Sequence, residues 1–247
     1  MINYAKKHPY LLGASFVSII AIIGFVLGYR IQPDLHIAKN GTLEITLPLK
    51  NTIVYADDKK IIVTTKENQT ISVPLSVKTH DVIIGREGYF PWMAQATIRS
   101  GETTTLKPIF VTQNTTGQII TQKDPQYWKL RFEVSNTRLP SETNPKTLNN
   151  VSVWVTENTI YIKENAVIKK IITPKDSIRS VDFYKDRTDV IIFASDTGVY
   201  AMDAVENASE KVTNFFPLYK GIKPVFQKTE NTFLYVLDGE NLMMVVI

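Results

Sequence analysis

The sequence predicts a mainly β protein on one hydrophobic helix: an N-terminal single transmembrane helix, a small antiparallel β-sandwich, then a partial β-propeller-like antiparallel repeat region. Three observations predict it. No charged side chain occurs between His8 and Arg30. Short runs of alternating polar and apolar residues, separated by turn formers, fill residues 41–111. An apolar–turn–apolar pattern then recurs three times between residues 151 and 247.

The apolar run comes first. As a helix, Tyr10 to Gly28 covers roughly 28 Å at about 1.5 Å per residue, close to the bilayer core. It is longer than the apolar core of a cleaved signal peptide, and residues 29–36 (YRIQPDLH) offer no small-x-small cleavage site. Tyr10 and Tyr29 stand at its ends, where amphipathic rings prefer the interface. The reading is a cytoplasmic tail over 1–9, an uncleaved helix over 10–29 with the lipid bilayer as partner, and a spacer over 30–40. Lys6 and Lys7 before the span are balanced by Arg30 and Lys39 after it. The short tail therefore carries the orientation: N-terminus cytoplasmic, body extracytoplasmic, at the cell membrane.

From Gly41 the period is two. Leu43, Ile45 and Leu47 alternate with Thr42, Glu44 and Thr46. Further short runs follow at 52–56, 61–65, 71–73, 80–85, 93–99 and 103–111, each bounded by turn formers such as Asp57-Asp58 and Ser100-Gly101-Glu102. Strands at this spacing indicate an antiparallel sandwich. In order, the segment shows a strand ending at Pro48, a strand with Tyr55 before an acidic turn, and Pro74 beside an apolar strand. Gly88-Tyr89-Phe90-Pro91-Trp92 and Ser100-Gly101 follow. Residues 41–111 thus resemble the PEGA domain, a small β-sandwich of surface-exposed, often membrane-anchored microbial proteins. Pro48-Leu49-Lys50-Asn51 stands where that family has Pro-Glu-Gly-Ala. Gly88 suits a turn needing positive φ, and Tyr89 and Trp92 are large enough to anchor a small core. Tyr89, Phe90 and Trp92 are also the best candidate binding surface, three large rings within four residues beside a Gly and a Pro.

Residues 112–150, rich in Thr, Asn, Gln and Pro, read as a connecting region with one strand at 127–134. The repeat region, 151–247, is clearer. Residues 153–162 (VWVTENTIYI) are echoed by 192–202 (IFASDTGVYAM) and again by 234–244 (LYVLDGENLMM). Each is a hairpin. Trp154, Phe193 and Tyr235 recur at intervals of 39 and 42 residues. With a strand before each later hairpin and a trailing strand such as 211–216, the units resemble blades of WD40-like propellers, without a Gly-His or Trp-Asp signature. Two full units and a part fall short of the four to eight blades that close a ring. The favoured arrangement is an open array whose edge is covered by self-association or another chain.

Composition narrows the chemistry. The chain has no cysteine, which excludes disulfides and thiol catalysis. Its net charge is +4, but the densest basic stretch, Lys163 to Arg179, is broken by Glu164 and Asp176, so no nucleic-acid partner is expected. His8, His36 and His80 form no metal-ligand pair. Asp57, Asp58, Asp186, Asp189, Asp196, Asp238 and Glu240 sit at turns, where their side chains bond local backbone. Asp182, Asp186 and Asp189 do not match a calcium loop. No nucleophile elbow, P-loop or dinucleotide fingerprint occurs. No catalytic, cofactor-binding or metal residue is assigned. The expected function is a non-catalytic binding or scaffolding module at the cell envelope, with a cell-wall or surface polysaccharide or an envelope protein as partner. The alternatives are an accessory sensor domain of a membrane signalling system, or a carbohydrate-active enzyme with two inward carboxylates about 5–9.5 Å apart.

Overall fold

A computed structural model describes residues 9–31, 37–204 and 214–247, and of residues 9–13, 30 and 38 the main chain alone. The expected tail up to residue 8, with His8, lies outside the described residues. So do His36 with most of the spacer, and the start of the trailing strand at 211–213. Strands make up 51 % of the described residues, so the fold is mainly β. It divides into two compact units: Met1–Gly85 with Met93–Pro108, and Arg86–Trp92 with Ile109–Ile247. The aromatic turn expected to complete the sandwich therefore belongs to the second unit.

The first unit opens with helix α1 (Pro9–Val26) and a two-stranded ribbon, β1 (Tyr29–Ile31) with β2 (Ile37–Lys39). The expected span of 10–29 is not reached. Gly28 adopts φ +87°, and Tyr29 turns into β1, which pairs back on Lys39. From Ala14 onward the helix side chains are mostly exposed, Phe16 and Phe25 by more than half. Among the described residues no helix is long and apolar enough to cross a membrane. That overturns the transmembrane helix, the signal anchor and the single-pass cell-membrane localisation.

The remaining strands of this unit are β3 (Gly41–Leu47), β4 (Ile53–Ala56), β5 (Lys59–Val63), β6 (Gln69–Leu75), β7 (Thr79–Gly85), β8 (Trp92–Thr97) and β9 (Thr103–Leu106). They form a three-stranded sheet, β6-β3-β9, and a four-stranded sheet, β5-β4-β7-β8. The period-two pattern sets which face is buried: Leu43, Ile45 and Leu47 are fully buried on β3, as are Val82 and Ile84 on β7. One pairing departs from the antiparallel expectation, since β3 runs parallel to β9 with Thr42 opposite Thr103.

The second unit contains three four-stranded antiparallel sheets. The first is β11 (Lys146–Leu148), β12 (Val151–Thr156), β13 (Thr159–Glu164) and β14 (Val167–Ile172). The second is β15 (Ser180–Phe183), β16 (Val190–Ser195), β17 (Gly198–Asp203) and β18 (Phe215–Lys220). The third comprises β19 (Val225–Lys228), β20 (Phe233–Asp238) and β21 (Asn241–Val246), and its fourth strand is β10 (Gly117–Ile120), which pairs with β21. All three echoed segments are hairpins of two six-residue strands joined by two residues. They do not make a propeller: the three sheets form no closed ring or barrel, which corrects the fold expected from the repeat period.

The second sheet lies in the middle. Its β15 adjoins β12 on one side and β19 on the other. All six residues of β16 are buried, as a strand covered on both faces must be. Ile191 and Phe193 share a core with Val153, Ile160 and Ile162 of the first sheet. The free face of the third sheet is covered by helix α2 (Tyr127–Ser135) rather than by another sheet. Tyr127, Leu130 and Val134, one helical stripe, pack on Ile120, Tyr235, Leu237 and Leu242. The strand expected at 127–134 is thus a helix. Its apolar residues recur at three and four rather than at two, and the sheet beneath selects that period.

Candidate functional site

Side chains from the hairpin turns wire the three sheets together. In the turn between β12 and β13, Glu157 and Asn158 both take positive φ, as a tight hairpin requires. The Asn158 amide donates to the carbonyls of Pro174 and Asp176 and accepts from the Ile178 N–H at 2.8 Å, so it grips the link into the second sheet. Asp196, in the next turn, grips the same link from the other side, accepting from Arg179 Nε at 2.7 Å and from the Ser177 N–H. The Arg179 guanidinium holds the Asp196 carboxyl below its ordinary pKa. Asp238 repeats the device on the next link, accepting from the Tyr219 hydroxyl at 2.9 Å and the Ile222 N–H. Burial and the Asp238 contact push the Tyr219 pKa up to about 12.

This frame brings one edge strand from each of the three sheets, β11, β15 and β19, to one cleft. Lys146 of β11 stands opposite Val153, Asp182 of β15 opposite Ile192, and Lys228 of β19 opposite Leu234. Those three partners are the residues that open the echoed segments, Val153 and Ile192 three residues before the closing pair of their hairpins and Leu234 four before its own. Lys146, Asp182 and Lys228, with Thr147, Leu148 and Phe183, line a cleft of about 310 Å³. The Lys146 ammonium lies 2.5 Å from Asp182 Oδ2, and Asp182 Oδ1 accepts the Phe183 N–H at 2.8 Å. Lys228 Nζ donates to the Lys185 carbonyl at 2.6 Å. Lys185 itself holds φ +53°, and its ammonium sits 5.0 Å from the centre of the Tyr184 ring. Burial lowers the Lys185 pKa.

The aromatic turn is placed elsewhere. Gly88 has φ +80°, and the backbone of Tyr89 bridges to Thr112. Trp92 is only 5 % exposed, and its indole N–H donates to Asp203 Oδ2 at 2.9 Å. Phe90 stacks on Phe216 with centroids 5.6 Å apart, and Tyr89 packs edge-on against Phe110. These rings serve as an anchor within the second unit, with Tyr89 and Phe90 only half-buried. Asp203 also accepts from the Asn214 amide at 2.6 Å. Burial dominates over both donors and pushes its pKa up to about 6.

His80 is buried in the first unit, with Nδ1 2.9 Å from Asp57 Oδ2 and Nε2 2.9 Å from the Ser76 carbonyl. Asp57 also meets Lys78 at 2.6 Å, and these contacts, Lys78 foremost, lower its pKa to about 2. The three acids weighed for calcium go to separate partners: Asp182 to Lys146, Asp186 to Asn231, and Asp189 to Arg187 through both oxygens. Among the described residues no group of three or more such side chains could hold a metal ion.

Sequence reasoning missed Lys146 and Lys228, and weighed Asp182 only for calcium. Each stands opposite the residue that opens an echoed segment, but the three precede those partners by seven, ten and six positions, so no linear spacing reveals them. No protein-family model matches the chain, and no curated protein matches it.

Proposed function

We propose that the chain is a non-catalytic binding or scaffolding module, with the three-sheet unit as platform and the cleft at Lys146, Asp182 and Lys228 as its contact face. One observation carries this reading. Among the described residues, the only carboxylate lining the cleft has one oxygen on Lys146 and the other on a backbone N–H. Glycoside hydrolysis uses a pair of carboxyl groups, one of them free to give a proton. A single engaged carboxylate suits binding instead. The turn side chains fix the three strands before any partner arrives, so little ordering cost falls on association.

A polysaccharide or a protein is the partner class that fits a shallow, rigid, charged face. The test is co-sedimentation of the purified full chain with insoluble polysaccharides, neutral and acidic, while reducing ends are assayed in the supernatant. Retention without release of reducing ends is expected. Release that scales with the amount of chain would overturn the non-catalytic reading.

A further inference from the structure

We infer that the cleft takes an oxyanion, the carboxylate or phosphate group of its ligand, with Lys228 as the principal contact and Lys146 beside it. The inference rests on the binding reading above and names the chemistry it lacks.

The argument is one of charge and donors. The lining carries two ammonium groups and one carboxylate. Lys146 and Asp182 offset each other at 2.5 Å. Lys228 has three N–H donors, of which one goes to the Lys185 carbonyl. That carbonyl is neutral: it fixes the ammonium in place without cancelling its charge. Among the described residues no carboxylate pairs with Lys228. The positive charge therefore faces the cleft, positioned and uncompensated. A neutral ligand would replace the water on this charge with weaker dipole contacts and leave the charge uncompensated, and a cationic one would meet two like charges. An oxyanion satisfies the remaining donors with charge-assisted hydrogen bonds. The apolar walls, Leu148 and the buried Phe183, reduce screening around that contact.

The convergence strengthens the case. Three separate sheets each contribute one charged residue to the same cleft, two lysines and one aspartate. Charged residues on exposed strand faces scatter in sign and place, whereas these three converge on one volume.

The test is calorimetric titration of the full chain with inorganic phosphate and with glucuronate, the two sources of the anion. Sodium chloride at matched ionic strength and glucose serve as controls. Saturable binding of phosphate, glucuronate or both is expected, and none of chloride or glucose. Lys228→Gln should weaken it on the order of tenfold, the loss of one charge-assisted contact. Asp182→Asn, which releases Lys146 toward the ligand, should strengthen it. Lys175→Gln, on an exposed link residue, should leave it unchanged. Opposite shifts from the first two variants cannot both arise from misfolding. Absence of saturable anion binding, or equal affinity in Lys228→Gln and the parent, would overturn the inference. If the parent chain sediments with neutral polysaccharide but binds neither phosphate nor glucuronate, the anion site fails while the binding reading stands. Release of reducing ends alongside intact phosphate binding is the converse.

Discussion

Asn158 accepts the Ile178 N–H at 2.8 Å across the link between two sheets, from a turn twenty residues earlier in the chain. The same side chain donates to two carbonyls of that link. A single carboxamide thus satisfies three backbone groups that neither sheet's own ladder reaches.

Asn158→Gly tests that role without disturbing the turn, because glycine keeps the positive φ that Asn158 adopts. Loss of the three contacts should cost about 1–3 kcal/mol. The check is urea unfolding, with a lowered midpoint and an unchanged slope.

Gly221 sits in the next link under Asp238. A Cβ added there would meet Asp238 Oδ2 at 2.3 Å, and that oxygen is already held by Tyr219. Gly221→Ala should therefore destabilise the chain by about 1–3 kcal/mol through overpacking. Pairing it with Asp238→Ala should recover part of the loss, measured as a non-additive double-mutant cycle.

Trp92→Phe removes the indole N–H from Asp203 and keeps most of the ring volume. Asp203, raised to about 6 by burial, then loses one of two named donors. A loss of about 1–3 kcal/mol at pH 8 is expected. Phosphate and glucuronate binding should be unchanged, because the cleft is lined by other residues. An altered anion affinity with an unaltered melting curve would contradict the anchor role.

The pH dependence has two signs. Asp203 has a folded pKa of about 6, above the ordinary 3.8, so its contribution is full below 3.8 and lost as pH rises through 6. Asp57 has a folded pKa of about 2, so its contribution is present above 3.8 and lost as pH falls toward 2. Because the two acids belong to different units, the second should gain stability between pH 7 and pH 4, and the first should lose it only below that window. Thermal melts across pH 2–8 check this. Asp203→Asn should remove the gain on acidification and leave the low-pH loss in place.

Much of the strand pattern was open to sequence reading, because period two and turn formers act locally. Leu43, Ile45 and Leu47 announce β3, and Trp154, Phe193 and Tyr235 announce the three hairpins. The helix α2 was hidden by its composition. Trp128 and Phe132 are 64 % and 68 % exposed, so large rings on the outer face blur the stripe of Tyr127, Leu130 and Val134. The number of sheets was hidden differently. The third takes a strand from residues 117–120, which no local pattern connects to 242–245. The cleft was the least legible, since it depends on which residues stand opposite one another and not on how far apart they lie in the chain.

The pairing of β10 with β21 also sets a timetable. Gly117 meets Val245 and Ile120 meets Leu242, so an early strand must wait for the last residues of the sheet it completes. During synthesis the first two sheets can form while β10 remains an open edge, with the apolar Ile119 and Ile120 seeking any strand on offer. A ribosome that stalls before residue 242 would release a chain with that edge unpaired. Premature termination in the last hairpin should therefore yield aggregates rather than a slightly shortened protein.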